Sequence, residues 1–290
     1  MKRSTRWLSA IWTILWKAGL LFILWGVLLA PVILPFATMI RRAQLTSPLQ
    51  LRLLFDVVTA LTLLTVTWFM AHFIDYRPFM TLGFFPDHMI RDLLLGLSLG
   101  AGWLALSVAV LWLARCVQVR PEGVLSSSVL AWSGAALLFN TVAQEVLARS
   151  YIFQTIRSQS NAAVAVTVSA ILFMAYHAGA YHGAWLPAFN VFAAGILFGV
   201  AYHLTGNLWL PIAMHFAWNF LLGPVLGLAV SGNTELKSGW QLLTVQGPAG
   251  LTGGVFGIEG GLVVTLTTLF GVGALFFLFR GQTVSGRTLT

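Results

Sequence analysis

The sequence predicts an all-α, polytopic transmembrane helical bundle of about eight spans, and three observations carry that expectation. Apolar residues make up 58% of the 290 residues. Charged residues make up 8%, against about 25% in an ordinary soluble domain. The apolar residues fall in long runs, and eight spans of about 20 residues each would use nearly the whole apolar inventory. A soluble fold of this size lacks the polar surface to cover itself. An ordinary soluble enzyme, a disordered chain and a disulfide scaffold are therefore excluded. Cys116 is the one cysteine, so no intramolecular disulfide is possible.

The elements follow in order. Lys2, Arg3 and Arg6 precede a helical stretch over about 7–17 with Trp7, Trp12 and Trp16, residues that favour the membrane interface. Span one covers about 18–40. Its start looks like a signal peptide, but the run is long, contains Pro31 and Pro35, and ends at Arg41 and Arg42 without a small-residue cleavage site, so it reads as an uncleaved span. Span two covers 53–74 and holds Asp56, four residues after Arg52. Span three covers 92–114 and is closed by Arg115. Spans four to eight cover about 124–147, 162–178, 186–204, 208–228 and 259–279. Pro78, Pro86 and Pro121 mark connections, since proline breaks helix interiors. The stretch 229–258, with Ser231, Gly232, Asn233 and a Gly-rich run, is the longest loop. No internal repeat or soluble domain is apparent, and residues 1–290 read as one membrane-embedded domain.

The net charge is +8. Arg and Lys stand at the ends of apolar runs, where they anchor helices against anionic headgroups of the lipid bilayer. There is no basic stripe with interleaved aromatics, so nucleic acid is not an expected partner. An even number of spans puts both termini on one side. That side collects the larger share of Lys and Arg, from Lys2, Arg3 and Arg6 to Arg280 and Arg287, which predicts an integral multi-pass protein with cytoplasmic termini.

Ionisable side chains inside spans are costly and mark function by default. Gln144-Glu145-Val146-Leu147-Ala148-Arg149 closes span four. Glu145 and Arg149 are four apart, share a helix face and can pair. Phe173-Met174-Ala175-Tyr176-His177 closes span five, and His215-Phe216-Ala217-Trp218-Asn219 lies in span seven. Taken singly, Glu145 with Arg149 reads equally as a structural ion pair, His177 as a packing histidine, and His215 with Asn219 as interhelical hydrogen-bonding glue. Taken together, a carboxylate, two histidines and an asparagine on three helices are what a buried hydrolytic site needs. One group takes a proton from water, and others donate to a developing oxyanion.

Glu-x-x-x-Arg, then Phe-x-x-x-His, then Thr205-Gly206-Asn207-Leu208-Trp209 leading to His-x-x-x-Asn resembles the CPBP family of intramembrane proteases. That family includes the CAAX-processing endoprotease and bacterial relatives tied to bacteriocin processing or immunity. The motif core is 130–222. The resemblance implies an endopeptidase acting on a membrane-associated or lipidated peptide or protein substrate. It implies that Arg149 orients the motif-one glutamates, and that His215 and Asn219 hold the oxyanion. His177 would stand beside the first motif-one position and activate water with it. Here the chain departs from the family pattern Glu-Glu-x-x-x-Arg, because the first position is Gln144. A glutamine has no base at useful pH. Adjacent helix residues point about 100° apart, so Glu145 does not simply replace it. Three outcomes stand open: Glu145 and His177 act as base after a helix adjustment; Gln144 positions water for His177; or the chain is an inactive immunity or scaffold member. A transporter is the competing class, disfavoured by the absence of paired broken helices. Family members are also called metalloproteases. A zinc ion would want about three protein ligands, for which Glu145, His177 and His215 are the candidates. There is no His-Glu-x-x-His and no cysteine cluster, so no cofactor is firmly expected.

Overall fold

The computed structural model describes residues 2–42, 48–237 and 239–280. Arg287, used above for orientation, lies outside the described residues. The chain is an all-α bundle. Helix α1 is Lys2–Arg42, α2 Pro48–Phe69, α3 Met89–Leu113, α4 Ser127–Arg149, α5 Tyr151–Gln159, α6 Ala162–Tyr176, α7 Trp185–Thr205, α8 Trp209–Phe220, α9 Ala249–Thr252 and α10 Leu262–Leu278.

Each expected span overlaps a helix, but the helices are not alike and do not confirm a count of eight spans. Among the described residues, four segments are long and apolar enough to cross a membrane: Trp7–Ile33, Pro48–Ile74, Met89–Leu113 and Trp185–Thr205. Helices α6 and α10 are apolar but shorter. Helix α8 has 12 residues before a π-helical stretch at Leu221–Val225 that contains Pro224. Helix α4 has 23 residues, but its last three turns carry Asn140, Gln144, Glu145 and Arg149. The polar residues that lower its hydropathy are the ones the bundle encloses.

Two further differences have local causes. The interfacial stretch and span one are one continuous 41-residue helix, in which Trp7 and Trp12 stay exposed. Between β1 (Val117–Glu122) and β2 (Gln241–Val245), an antiparallel pair joins Val117 to Val245 and Val119 to Leu243. The alternation in each strand is too short to announce a partner more than a hundred residues away. The pair ties the long connection between α8 and α10 back to the end of α3.

Helix α3 packs chiefly on α8, α2 on α4, and α6 on α7, with α10 against α7 and α3. Small residues let backbones approach in membrane bundles. A Cβ at Gly96 would lie 2.6 Å from the Leu210 carbonyl oxygen, and one at Gly100 would lie 2.4 Å from that of Met214. These two glycines, four apart on α3, set how closely α8 approaches, and α8 carries His215 and Asn219.

Candidate active site

The site is assembled from the C-terminal turns of α4, the end of α6, the middle of α8 and the connection preceding α10. Glu145 and Arg149 are wholly buried. Arg149 Nη1 donates to Glu145 Oε1 at 3.1 Å, and its Nη2 donates to the Gly195 carbonyl at 3.1 Å. The guanidinium also lies 4.4 Å from the Phe173 ring centroid, a cation–π contact. The same Glu145 oxygen accepts from His215 Nδ1 at 2.9 Å. The His215 ring stacks on Phe198 with centroids 4.8 Å apart and meets Phe173 edge-on. Glu145 therefore fixes the tautomer and plane of His215. It borders neither of the two cavities described below.

His177 caps α6. Its Nδ1 lies 2.9 Å from the Phe173 carbonyl oxygen. A carbonyl only accepts, so Nδ1 carries the proton and Nε2 of the neutral ring offers a lone pair. Two cavities meet at this ring. A small one of about 30 Å³ is bordered by His177, His215, Asn219 and Glu259, with Trp103, Phe173 and Phe198 as its apolar wall. It has room for water. A larger one of about 280 Å³ is bordered by His177, Asn219, Gln144, Asp56, Arg52 and Tyr176. His177, Asn219 and Ser231 belong to both.

Gln144 faces the larger cavity at one end of a polar chain. Its Nε2 donates to Asn140 Oδ1 at 2.6 Å, and Asn140 Nδ2 donates to Asp56 Oδ1 at 3.0 Å. Arg52 Nε donates to Asp56 Oδ2 at 2.7 Å. Asp56 thus both pairs with Arg52 and faces the bundle interior. The neighbouring residues 144 and 145 do diverge: one meets Asn140 and the larger cavity, the other Arg149 and His215.

Glu259 was not singled out in the sequence. It lies in the turn Ile258–Gly260 before α10, outside the spanning helices. Trp218 Nε1 donates to its Oε1 at 2.8 Å, and the Ser231 backbone N–H donates to its Oε2. Asn190 Nδ2 holds the turn through the carbonyls of Glu259 and Gly261 at 2.8 and 2.9 Å. Burial pushes the Glu259 carboxyl up to about 7, against the opposing pull of Ser231 and Trp218. The signal available in the sequence was scarcity: Glu259 is one of only eight acidic residues and abuts an apolar run.

The zinc set does not fit. Among the described residues, no three His, Cys, Asp or Glu side chains gather as a metal-binding group. The expectation of a metalloprotease finds no support in this donor set.

Residues 126–221 match the family model described as type II CAAX prenyl endopeptidase Rce1-like. No curated protein and no solved structure matches the chain. The matched stretch runs from the start of α4 to the end of α8 and contains Gln144, Glu145, Arg149, His177, His215 and Asn219, but not Glu259. The chain is an integral membrane protein, and its α4–α8 core is similar to the Rce1-like type II CAAX prenyl endopeptidase family, a likeness consistent with a CPBP family protease.

Proposed function

We propose that the chain is an intramembrane endopeptidase that hydrolyses a peptide bond of a membrane-associated or prenylated substrate with water activated in the small cavity. The observation that carries this reading is the hydrogen bond from His177 Nδ1 to Phe173, which leaves Nε2 of a cavity-bordering imidazole as a base. Water gives a proton to His177 Nε2 as its oxygen bonds to the substrate carbonyl carbon. The resulting oxyanion accepts from the Asn219 amide, beside the His215 ring that Glu145 holds through Nδ1. The C–N bond then breaks as His177 returns the proton to the leaving nitrogen. Preorganised donors of this kind are each worth about 10²–10³ in rate. Arg149 holds Glu145 in place. Gln144, with its nitrogen committed to Asn140, presents a carbonyl that hydrogen-bonds water or substrate. No step uses a metal, and the termini are taken as cytoplasmic.

Gln144 favours a second reading, a non-catalytic immunity or scaffold protein of the same family. The test reconstitutes the purified protein in liposomes. It follows cleavage of fluorogenic farnesylated CAAX, unprenylated CAAX and leader-type peptides by wild type and His177→Ala. Cleavage of the lipidated peptide by wild type alone is expected. Cleavage of none of them supports the second reading, and equal cleavage by His177→Ala refutes the assigned base.

A further inference from the structure

We propose that Glu259 is a catalytic carboxylate of this site, supplied by the turn before α10 in place of the charge that Gln144 lacks. This rests on the function proposed above and adds a residue that lies outside the family match.

Glu259 borders the same water-sized cavity as His177, His215 and Asn219. Each of its oxygens receives one hydrogen bond, from Trp218 and from Ser231. A carboxylate has about four acceptor sites, so further capacity remains for a guest in the cavity. A half-buried charge in a cavity is costly unless it is hydrogen-bonded. The turn is also held to α7 without that charge, because Asn190 binds two of its backbone carbonyls. Glu145, the motif carboxylate that remains, is turned away and locked to Arg149 and His215. Glu259 is thus the one carboxylate bordering the small cavity among the described residues.

The proton balance gives it a defined task. The first proton of the attacking water goes to His177 and leaves on the amine. Glu259 accepts a hydrogen bond from the second O–H. It takes that proton as the tetrahedral intermediate collapses to the new carboxylate, and later releases it to solvent. The carboxylate is bonded by Trp218 from α8 and Ser231 from the connection, and its cavity is shared with the polar groups His215 and Asn219 from α8, Asn190 from α7 and His177 from the end of α6. The carboxylate must be ionised to act, so activity falls as pH drops through its titration. Trp218 donates to the charged form. Trp218→Phe therefore raises the carboxyl's proton affinity and moves the acid limb of kcat/KM to higher pH. A purely structural Glu259 would not move that limb.

The experiment uses the full-length protein in liposomes with the fluorogenic peptides, comparing wild type, Glu259→Gln, Trp218→Phe and His177→Ala. Glu259→Gln is expected to lower kcat by about 100-fold or more, the scale of general acid–base catalysis, with KM within about twofold. Trp218→Phe is expected to shift the acid limb upward. If Glu259→Gln retains wild-type kcat and pH profile while His177→Ala is inert, the role of Glu259 falls and the proposed function stands. If His177→Ala is as active as wild type, the proposed function itself falls. Should Glu259→Gln fail to fold, an acid limb unmoved in Trp218→Phe overturns the proposal. Cleavage of no peptide by wild type overturns both.

Discussion

Arg149→Met removes a guanidinium from a fully buried ion pair while keeping much of the side chain's length. Arg149 and Glu145 are both 0% exposed. In the variant, Glu145 keeps only His215 Nδ1 as a partner, and the Gly195 carbonyl loses its donor at 3.1 Å. Removing one member of a buried pair typically costs about 3–5 kcal/mol, because the other charge is left uncompensated. The lost bond to Gly195 is part of that sum, since one guanidinium makes both contacts. Replacing both members with neutral residues removes the stranded charge, and such swaps are often close to neutral. Arg149→Met with Glu145→Gln should therefore be more stable than Arg149→Met alone, although it carries one more substitution. The assay is equilibrium unfolding of wild type, both single variants and the double variant in detergent micelles, followed by tryptophan fluorescence and analysed as a double-mutant cycle. A single variant of wild-type stability, or costs that simply add, would refute the ion-pair account of Arg149.

Three other outcomes follow from the geometry. Asn219→Ala should lower kcat by about 10²–10³ with little change in KM, the effect of deleting one oxyanion donor; an unchanged kcat in the liposome assay removes Asn219 from the site. Gln144→Glu should raise kcat/KM, because it adds a carboxylate to the larger cavity beside His177. The same change should lower the thermal midpoint, because Asn140 would then stand between two carboxylates, and Asp56→Asn should restore it; a midpoint that does not fall contradicts the Asn140 relay. Gly195→Ala should lower both stability and activity, since its Cβ would lie 2.8 Å from Ala170 Cα and would part α6 from α7 beside the carbonyl that holds Arg149. Wild-type values for both would show that this close approach can relax.

Much of the bundle could be read from the sequence because lipid imposes a coarse rule: backbone groups pair within helices, and apolar runs mark them. The boundaries were less readable where that rule is relaxed. Helix α4 reads as polar at its end because its polar side chains face one another, and α5 is a short helix begun after the break at Ser150. The β1–β2 pair depends on contacts across more than a hundred residues, which no local pattern records. In the site, the spacing of four brought Glu145 to Arg149, and the 100° step explained why Gln144 and Glu145 part company. Which partner each would meet was not readable. Asn140 and Asp56 became a relay only once α2 lay against α4. Glu259 has no spacing relation to the three motifs, and it reaches the cavity because the long connection folds back under Trp218 and Ser231.

The most direct measurement is hydrolysis of a farnesylated CAAX peptide by the reconstituted protein in H₂¹⁸O, with products analysed by mass spectrometry. Wild type should yield a single new internal cleavage, with one ¹⁸O in the new carboxyl terminus and none in the amine product, and His177→Ala should yield none. An intact peptide with wild type, or the same labelled product at the same rate from His177→Ala, would contradict the claim that His177 activates water here to cut a peptide bond.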